Sequence, residues 1–167
     1  MERPLLILPH HVLGSIHIRI ATTADRSYID ALQRKHVNNI GFVPRTAIDD
    51  HLARQSYHLL SINGQPTGYA MHAGGTRKPL RLIQVALSED AWRNGLGTAL
   101  IELALQRAKN TLKTGMTATV RDGLTMNKVV TATGATPIGR DTAPTARGRD
   151  RIRYSWTRRR TLPDPSV

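Results

Sequence analysis

Arg93-Asn94-Gly95-Leu96-Gly97-Thr98 is the run whose residue types and spacing could do chemistry. Two glycines one residue apart allow a ligand to approach the backbone closely, and a helical pattern starts at them. The first N–H groups of a helix have no partner inside it, and the positive end of its dipole favours an anion. The dipole alone contributes about 0.3–2 kcal/mol, so several N–H groups must act together. Upstream, Leu80, Leu82, Ile83, Val85 and Leu87 read as a strand, and Ser88 to Asn94 is a polar link. Strand, link, glycine turn and helix in that order form a site for the pyrophosphate of a nucleotide-bearing cofactor. A dinucleotide-binding turn is a poor match, because it needs Gly-x-Gly-x-x-Gly directly after the strand. Here the third position is Leu100, and seven residues separate Leu87 from Gly95.

The elements that must position this turn follow from the rest of the 167 residues. With 40% hydrophobic residues the chain suits one domain, which at this size buries roughly 70% of its unfolded surface. The absence of cysteine excludes disulfides, a thiolate nucleophile and cysteine-ligated zinc. His10-His11 has no third ligand at a useful spacing, so no metal is expected. The opening residues hold only four apolar residues between two prolines, too few for a signal segment or a membrane span. A cytoplasmic location with no membrane partner is therefore expected. Twenty-four Lys and Arg against 12 Asp and Glu give a charge of +12, which attracts polyanions and acidic ligands. Eight of the 24 lie between Arg140 and Arg160, so this region could form a nucleic-acid face.

Taken in order, residues 1–14 are a lead that could add an edge strand, 15–157 form the domain, and 158–167 are a basic tail. Ile16, Ile18 and Ile20 alternate with polar residues as a first strand. Thr22 or Thr23 caps a helix that Gly41-Phe42-Val43-Pro44 breaks, and Thr46 caps a second one. Tyr57–Ile62 and Thr67–Ala73 pair across Asn63-Gly64, and Pro66 predicts a loop longer than two residues. The strand carrying Leu80–Leu87 and the long helix follow, then a strand at Met116–Arg121 and a helix at Thr125–Thr133. Thr136–Arg140 and Arg149–Thr157 pair as the last two strands.

This order, together with the Gly95-Leu96-Gly97-Thr98-Ala99-Leu100-Ile101 run, resembles the GNAT superfamily of acyl-CoA-dependent N-acyltransferases over about Ser15 to Thr157. Its best motif is the family's Gln/Arg-x-x-Gly-x-Gly/Ala pyrophosphate loop, entered here from Val85-Ala86-Leu87. Gly41-Phe42-Val43-Pro44-Arg45 is similar to a stretch between the first two helices of some members. Trp92 stands where the family has Gln or Arg, and Arg93 and Asn94 follow as in many members. Asn127 matches the Asn that starts the fourth helix. The tyrosine usual a turn or two later is replaced around Val130, Thr131 and Ala132, and Arg81 and Gln84 stand where some members keep a glutamate base.

The resemblance implies an α/β (α+β) fold with a mixed, mostly antiparallel sheet of six to seven strands flanked by about four helices. It implies acetyl transfer from acetyl-CoA to a primary amine by direct attack in a ternary complex. Backbone N–H groups at Val85 or Leu87 would meet the thioester oxygen beside a bulge, with Ala86 between them. Arg93, Asn94, Gly95, Leu96, Gly97, Thr98 and Asn127 would bind the cofactor. For the base, His72 is the first candidate, on the strand beside Ile83–Leu87 with an unperturbed pKa of about 6.5. His58 is second, and Glu89 or Asp90 could reach substrate. Tyr154 on the last strand, or the weaker donor Thr131, would supply the acid. The alternative is a GNAT-like protein that binds or modifies DNA or tRNA through Arg147, Arg149, Arg151 and Arg153. A monomer or homodimer is expected, and an acidic or phosphate-bearing acceptor is favoured over a polyamine.

Overall fold

A computed structural model describes residues 6–10, 13–74, 78–111, 114–143 and 148–157, with side chains from Leu13 onward. The elements are β1 (Leu6–His10), β2 (Gly14–Ile20), α1 (Arg26–Lys35), α2 (Val37–Ile40), α3 (Arg45–Ala53), β3 (Tyr57–Ile62), β4 (Gln65–Ala73), β5 (Leu80–Leu87), α4 (Leu96–Asn110), β6 (Gly115–Arg121), α5 (Thr125–Ala132), β7 (Thr136–Asp141) and β8 (Arg151–Thr157). One sheet runs in the order β1-β2-β3-β4-β5-β6-β8-β7. Every neighbouring pair is antiparallel except β5 and β6. The sheet holds one strand more than the expected upper count, because part of the lead pairs with β2 from Leu6↔Ile18 to His10↔Gly14.

Alternation along the strands divides the apolar residues between two cores, one on each face. Ile16, Ile18, Leu60, Leu82, Val85, Met116, Ala118, Val120, Tyr154 and Trp156 pack with Leu96, Leu100 and Ile101 of α4 and Val130 of α5. Leu59, Tyr69, Met71 and Ala86 pack on the opposite face with Ile29 and Leu32 of α1 and Ile48 and Leu52 of α3. The sheet is therefore the middle layer between helices α1–α3 and helices α4–α5.

Two local expectations change for physical reasons. The β3–β4 loop has only two residues, Asn63 at φ 50° and Gly64 at φ 83°, which is the primed turn that matches strand twist. Pro66 is tolerated inside β4 because the register shifts beside its partner Ser61, so its missing N–H breaks no regular rung. Helix α3 starts at Arg45 with Pro44 as its cap residue, whose φ of −60° already suits helix entry, and Thr46 lies within the helix.

The segment between α1 and α3 is held from below. Buried Gln33 accepts from Val43 N–H at 3.0 Å and donates to Val43 C=O at 2.8 Å. Asp30 accepts from Arg45 Nε at 2.8 Å and Arg34 Nε at 3.2 Å, and these bonds, Arg45 first, hold its carboxyl below the usual range. Gln84 of β5 accepts from Tyr69 Oη at 3.0 Å, and its amide faces the carbonyls of Ile40 and Gly41. Residues 36–45 are thus fixed against the end of β5.

Candidate functional site

The site arises where the sheet opens. Parallel pairing of β5 with β6 covers only Leu80↔Met116, Arg81↔Thr117 and Leu82↔Ala118. Beyond that rung the two strands diverge, and a cleft of about 660 Å³ lies between them, lined by Leu82–Leu87 on one side and Ala118–Arg121 on the other. An irregularity in β5 accompanies the opening. Met71 pairs with Gln84 and His72 with Leu82, so Ile83 is an extra residue, one position before Gln84 and upstream of the expected Val85 or Leu87.

The backbone of β5 beside the gap is still available to a ligand. Ser88 N–H donates to Thr67 C=O at 2.8 Å, which sets the alternation of the β4–β5 ladder. By that alternation Gln84 and Ala86 bond towards β4, while the N–H groups of Val85 and Leu87 point into the gap. The Leu87 carbonyl points the same way and accepts from Trp92 Nε1 at 3.1 Å, and His36 Nε2 lies 3.0 Å from it. The rings of His36 and Trp92 are 5.9 Å apart. Trp92 therefore does not merely lack the family's polar side chain; its indole ties the turn to the end of β5.

At the mouth of the cleft, Arg93 (φ 66°) and Gly95 (φ 74°) both adopt the left-handed conformation. For arginine this costs about 1–2 kcal/mol, and such strain collects at functional turns. The double reversal delivers the chain into α4 with Gly95 as cap residue and no side chain capping it. The first intrahelical bond is Ala99 N–H to Gly95 C=O, at 3.1 Å, so the N–H groups of Leu96, Gly97 and Thr98 have no helical acceptor. A Cβ on Gly97 would meet Leu87 and Val129 at 3.8 and 3.9 Å, inside the cleft lining. These features fit a pyrophosphate in the turn and an extended arm along β5.

Of the residues expected to bind the cofactor, Val85, Ala86, Leu87, Arg93, Gly95, Leu96, Gly97 and Thr98 line the cleft. Asn94 and Asn127 do not. The Asn94 amide donates to Trp92 C=O at 3.1 Å and braces the turn. The Asn127 amide donates to Arg121 C=O at 2.8 Å and Leu124 C=O at 3.0 Å, and its oxygen accepts from Tyr154 Oη at 3.0 Å. Asn127 shapes the turn between β6 and α5, with both amide hydrogens engaged by backbone carbonyls.

None of the expected catalytic side chains is brought into the cleft. Tyr154 is buried among the residues under α4 and α5, and its hydroxyl is taken by Asn127. Thr131 donates to Asn127 C=O at 2.8 Å. Glu89 and Asp90 stand exposed on a short turn, Glu89–Ala91. His72 follows Ala70 by two positions on β4 and shares a rung with Leu82, both of the core beneath α4, so it lies on that face and outside the cleft lining. It packs there against His58, ring centroids 5.0 Å apart, and His72 Nε2 and His58 Nδ1 have no hydrogen-bond partner among the described residues. Burial lowers His72 to about 3 and His58 to about 4, with His58 and Arg107 adding to the shift at His72 and Arg107 to that at His58. Both are therefore neutral and only weakly basic at neutral pH, and neither lines the cleft.

The ionisable side chains that do line the cleft are His36, Arg93, Arg121 and Arg151, and no carboxylate joins them among the described lining residues. The sequence shows His36 only as one more member of a helical pattern. Its place at the end of α1, just before the Gly41 break, is the signal that could have singled it out. Arg121 reads only as the end of a strand, and Arg151 as part of the basic C-terminal region, until the register makes them neighbours.

Among the described residues no group of three or more His, Cys, Asp and Glu side chains could hold a metal, and no helix is long and apolar enough to cross a membrane. A family model described as Acetyltransferase (GNAT) family matches residues 19–125. Ard1 from Thermoplasma volcanium has a similar fold, with a TM-score of 0.76 and 15% identity over 85% of this chain and 97% of that one. The ribosomal-protein-S18-alanine N-acetyltransferase from Escherichia coli gives 0.70 and 17% over 91% and 98%. The yncA protein of Salmonella typhimurium, solved with its cofactor acetyl-CoA, gives 0.70 and 19% over 90% and 98%. At these identities the likeness is one of fold. No curated protein matches the chain in sequence.

Proposed function

We propose, from the premise that this chain belongs to the GNAT acetyltransferase family, that it transfers an acetyl group from acetyl-CoA to a primary amine. The observation that carries this reading is the parting of β5 from β6 beside an uncapped, glycine-led helix start. The yncA structure, which holds acetyl-CoA on a similar fold, supports the cofactor.

Leu96, Gly97 and Thr98 would hold the pyrophosphate through backbone N–H groups, with Arg93 beside them. The Val85 and Leu87 N–H groups would hold the arm and the thioester oxygen, where negative charge develops during attack. Acetyl-CoA supplies the activated acetyl group; the protein supplies position and proton handling. His36 is the proton acceptor of the site in this reading. A carbonyl oxygen can only accept, so neutral His36 carries its proton on Nε2 towards Leu87 C=O and keeps Nδ1 as the basic nitrogen. Asn127 and Tyr154 act as positioning residues, fixing the turn after β6.

The nucleic-acid reading has less to stand on. Arg140 pairs with Asp122 at 2.8 Å and Asp150 at 3.4 Å, and Arg153 pairs with Asp141 at 3.1 Å, so two of the eight arginines of this region are engaged by carboxylates of the protein. Arg147 and the tail arginines lie outside the described residues.

Thermal unfolding with acetyl-CoA tests the proposal. A ligand of the folded state at about 100 times its Kd adds about 2.7 kcal/mol of stability, which raises Tm by several degrees. An unchanged Tm, with no heat of binding by calorimetry, would remove the transferase reading.

A further inference from the structure

We propose that Arg121 and Arg151 form an anion subsite for the amine substrate, so that the acceptor carries a carboxylate or phosphate group near its amine. This rests on the transferase reading above and narrows it to a substrate class.

The two arginines sit at the same rung of the antiparallel β6–β8 pair. Both line the cleft. Like charges directly opposite each other on neighbouring strands repel, and a bound counter-charge relieves that repulsion. The protein does not provide one among the described residues. The nearby carboxylates are engaged elsewhere: Asp122 and Asp150 with Arg140, and Asp141 with Arg153. A pair of free guanidinium groups at one end of a cleft is a fork for an oxyanion, which each can bind in bidentate fashion.

The face on which the pair lies separates it from the pyrophosphate turn. Met116, Ala118 and Val120 of β6, with Tyr154 and Trp156 of β8, point into the core beneath α4 and α5. Thr117, Thr119 and Arg121, paired with Ser155, Arg153 and Arg151, therefore point to the other face. That is the face of α1–α3, from which His36, Asn39 and Gly41 reach the cleft. The helix start that fits the cofactor belongs to the α4 side. An amine approaching from the α1 side would have His36 near one end of the opening and the arginine pair across it.

Cofactor phosphates and an acceptor anion share the same chemistry, and the test must separate them. The Nε–H signals of Arg121 and Arg151 are followed by NMR in 15N-arginine-labelled protein. Inorganic phosphate and succinate are titrated with and without saturating CoA. The expected result is a saturable shift of both signals that persists when CoA is bound. Arg121→Gln or Arg151→Gln should weaken succinate and phosphate by about tenfold or more, as expected for loss of a charge-assisted pair, and change CoA affinity by less than about twofold. Loss of the shift on adding CoA, together with weaker CoA binding in either variant, would assign the pair to the cofactor and overturn the proposal. Absence of any saturable shift would overturn it as well. Should CoA fail to bind while the anions still shift both signals, the transferase reading falls and the anion site stands alone.

Discussion

The two sides of the cleft are built from different materials. On the α4 side the groups offered to a ligand come from the backbone: N–H groups of Leu96, Gly97 and Thr98 at the helix start, continued in the gap by those of Val85 and Leu87. On the α1 side they come from side chains that meet only after folding, with His36 at the end of α1, Arg121 on β6 and Arg151 on β8. A site made of backbone needs particular conformations, and those select residues locally. Gly95 at φ 74° and the Gly-x-Gly spacing are the trace this leaves in the chain. A site made of distant side chains leaves no such local trace.

The largest expected effect breaks the backbone side alone. Gly97→Glu would place a carboxylate between Leu87 and Val129, where the pyrophosphate should lie. Because a Cβ there has ordinary contact distances, the fold should survive while acetyl-CoA binding by calorimetry disappears. Retained binding in this variant would mean that the cofactor lies elsewhere.

His36→Ala acts on the opposite side and should leave acetyl-CoA affinity unchanged. Turnover should drop by about 10²–10⁴-fold, the usual contribution of a proton-transfer group, and added imidazole should restore part of it. A drop in cofactor affinity with no imidazole rescue would show that His36 only braces Leu87 and Trp92.

A smaller effect tests whether His72 belongs to neither side. His72 and His58 are neutral when folded, lowered to about 3 and about 4, and take protons near pH 6.5 when unfolded. The unfolded state thus binds more protons between those values, so stability is full above about pH 6.5 and declines as pH falls towards 4. Each histidine contributes a slope of up to about 1.4 kcal/mol per pH unit. Denaturant unfolding at several pH values should show a shallower acid decline in His72→Leu, with turnover at neutral pH retained. Loss of turnover would return His72 to the chemistry.

What could be read in the sequence follows the same division. Alternation in Ile16–Ile18 and in Ile152, Tyr154 and Trp156, the Asn63-Gly64 turn and the glycine-led helix gave the layers and the cofactor turn, since each signal is local. The resemblance supplied the overall arrangement. The catalytic candidates depended on which way single side chains point. His72 shares the face of Ala70 on β4, and that this face packs beneath α4 is known only once the helices are laid on the sheet. Tyr154 was placed on the correct strand, but its partner Asn127 lies 27 positions away and takes its hydroxyl. The meeting of Arg121 with Arg151 depends on β8 entering between β6 and β7, a matter of topology.

The most direct measurement maps acetyl-CoA onto backbone amides by NMR. Titration should move the N–H signals of Val85, Leu87, Leu96, Gly97 and Thr98 together, with a single affinity, while those of His58 in β3 and His72 in β4 stay still. Saturable binding that leaves the amides of β5 and the start of α4 unmoved would contradict a cofactor held in the opening between β5 and β6.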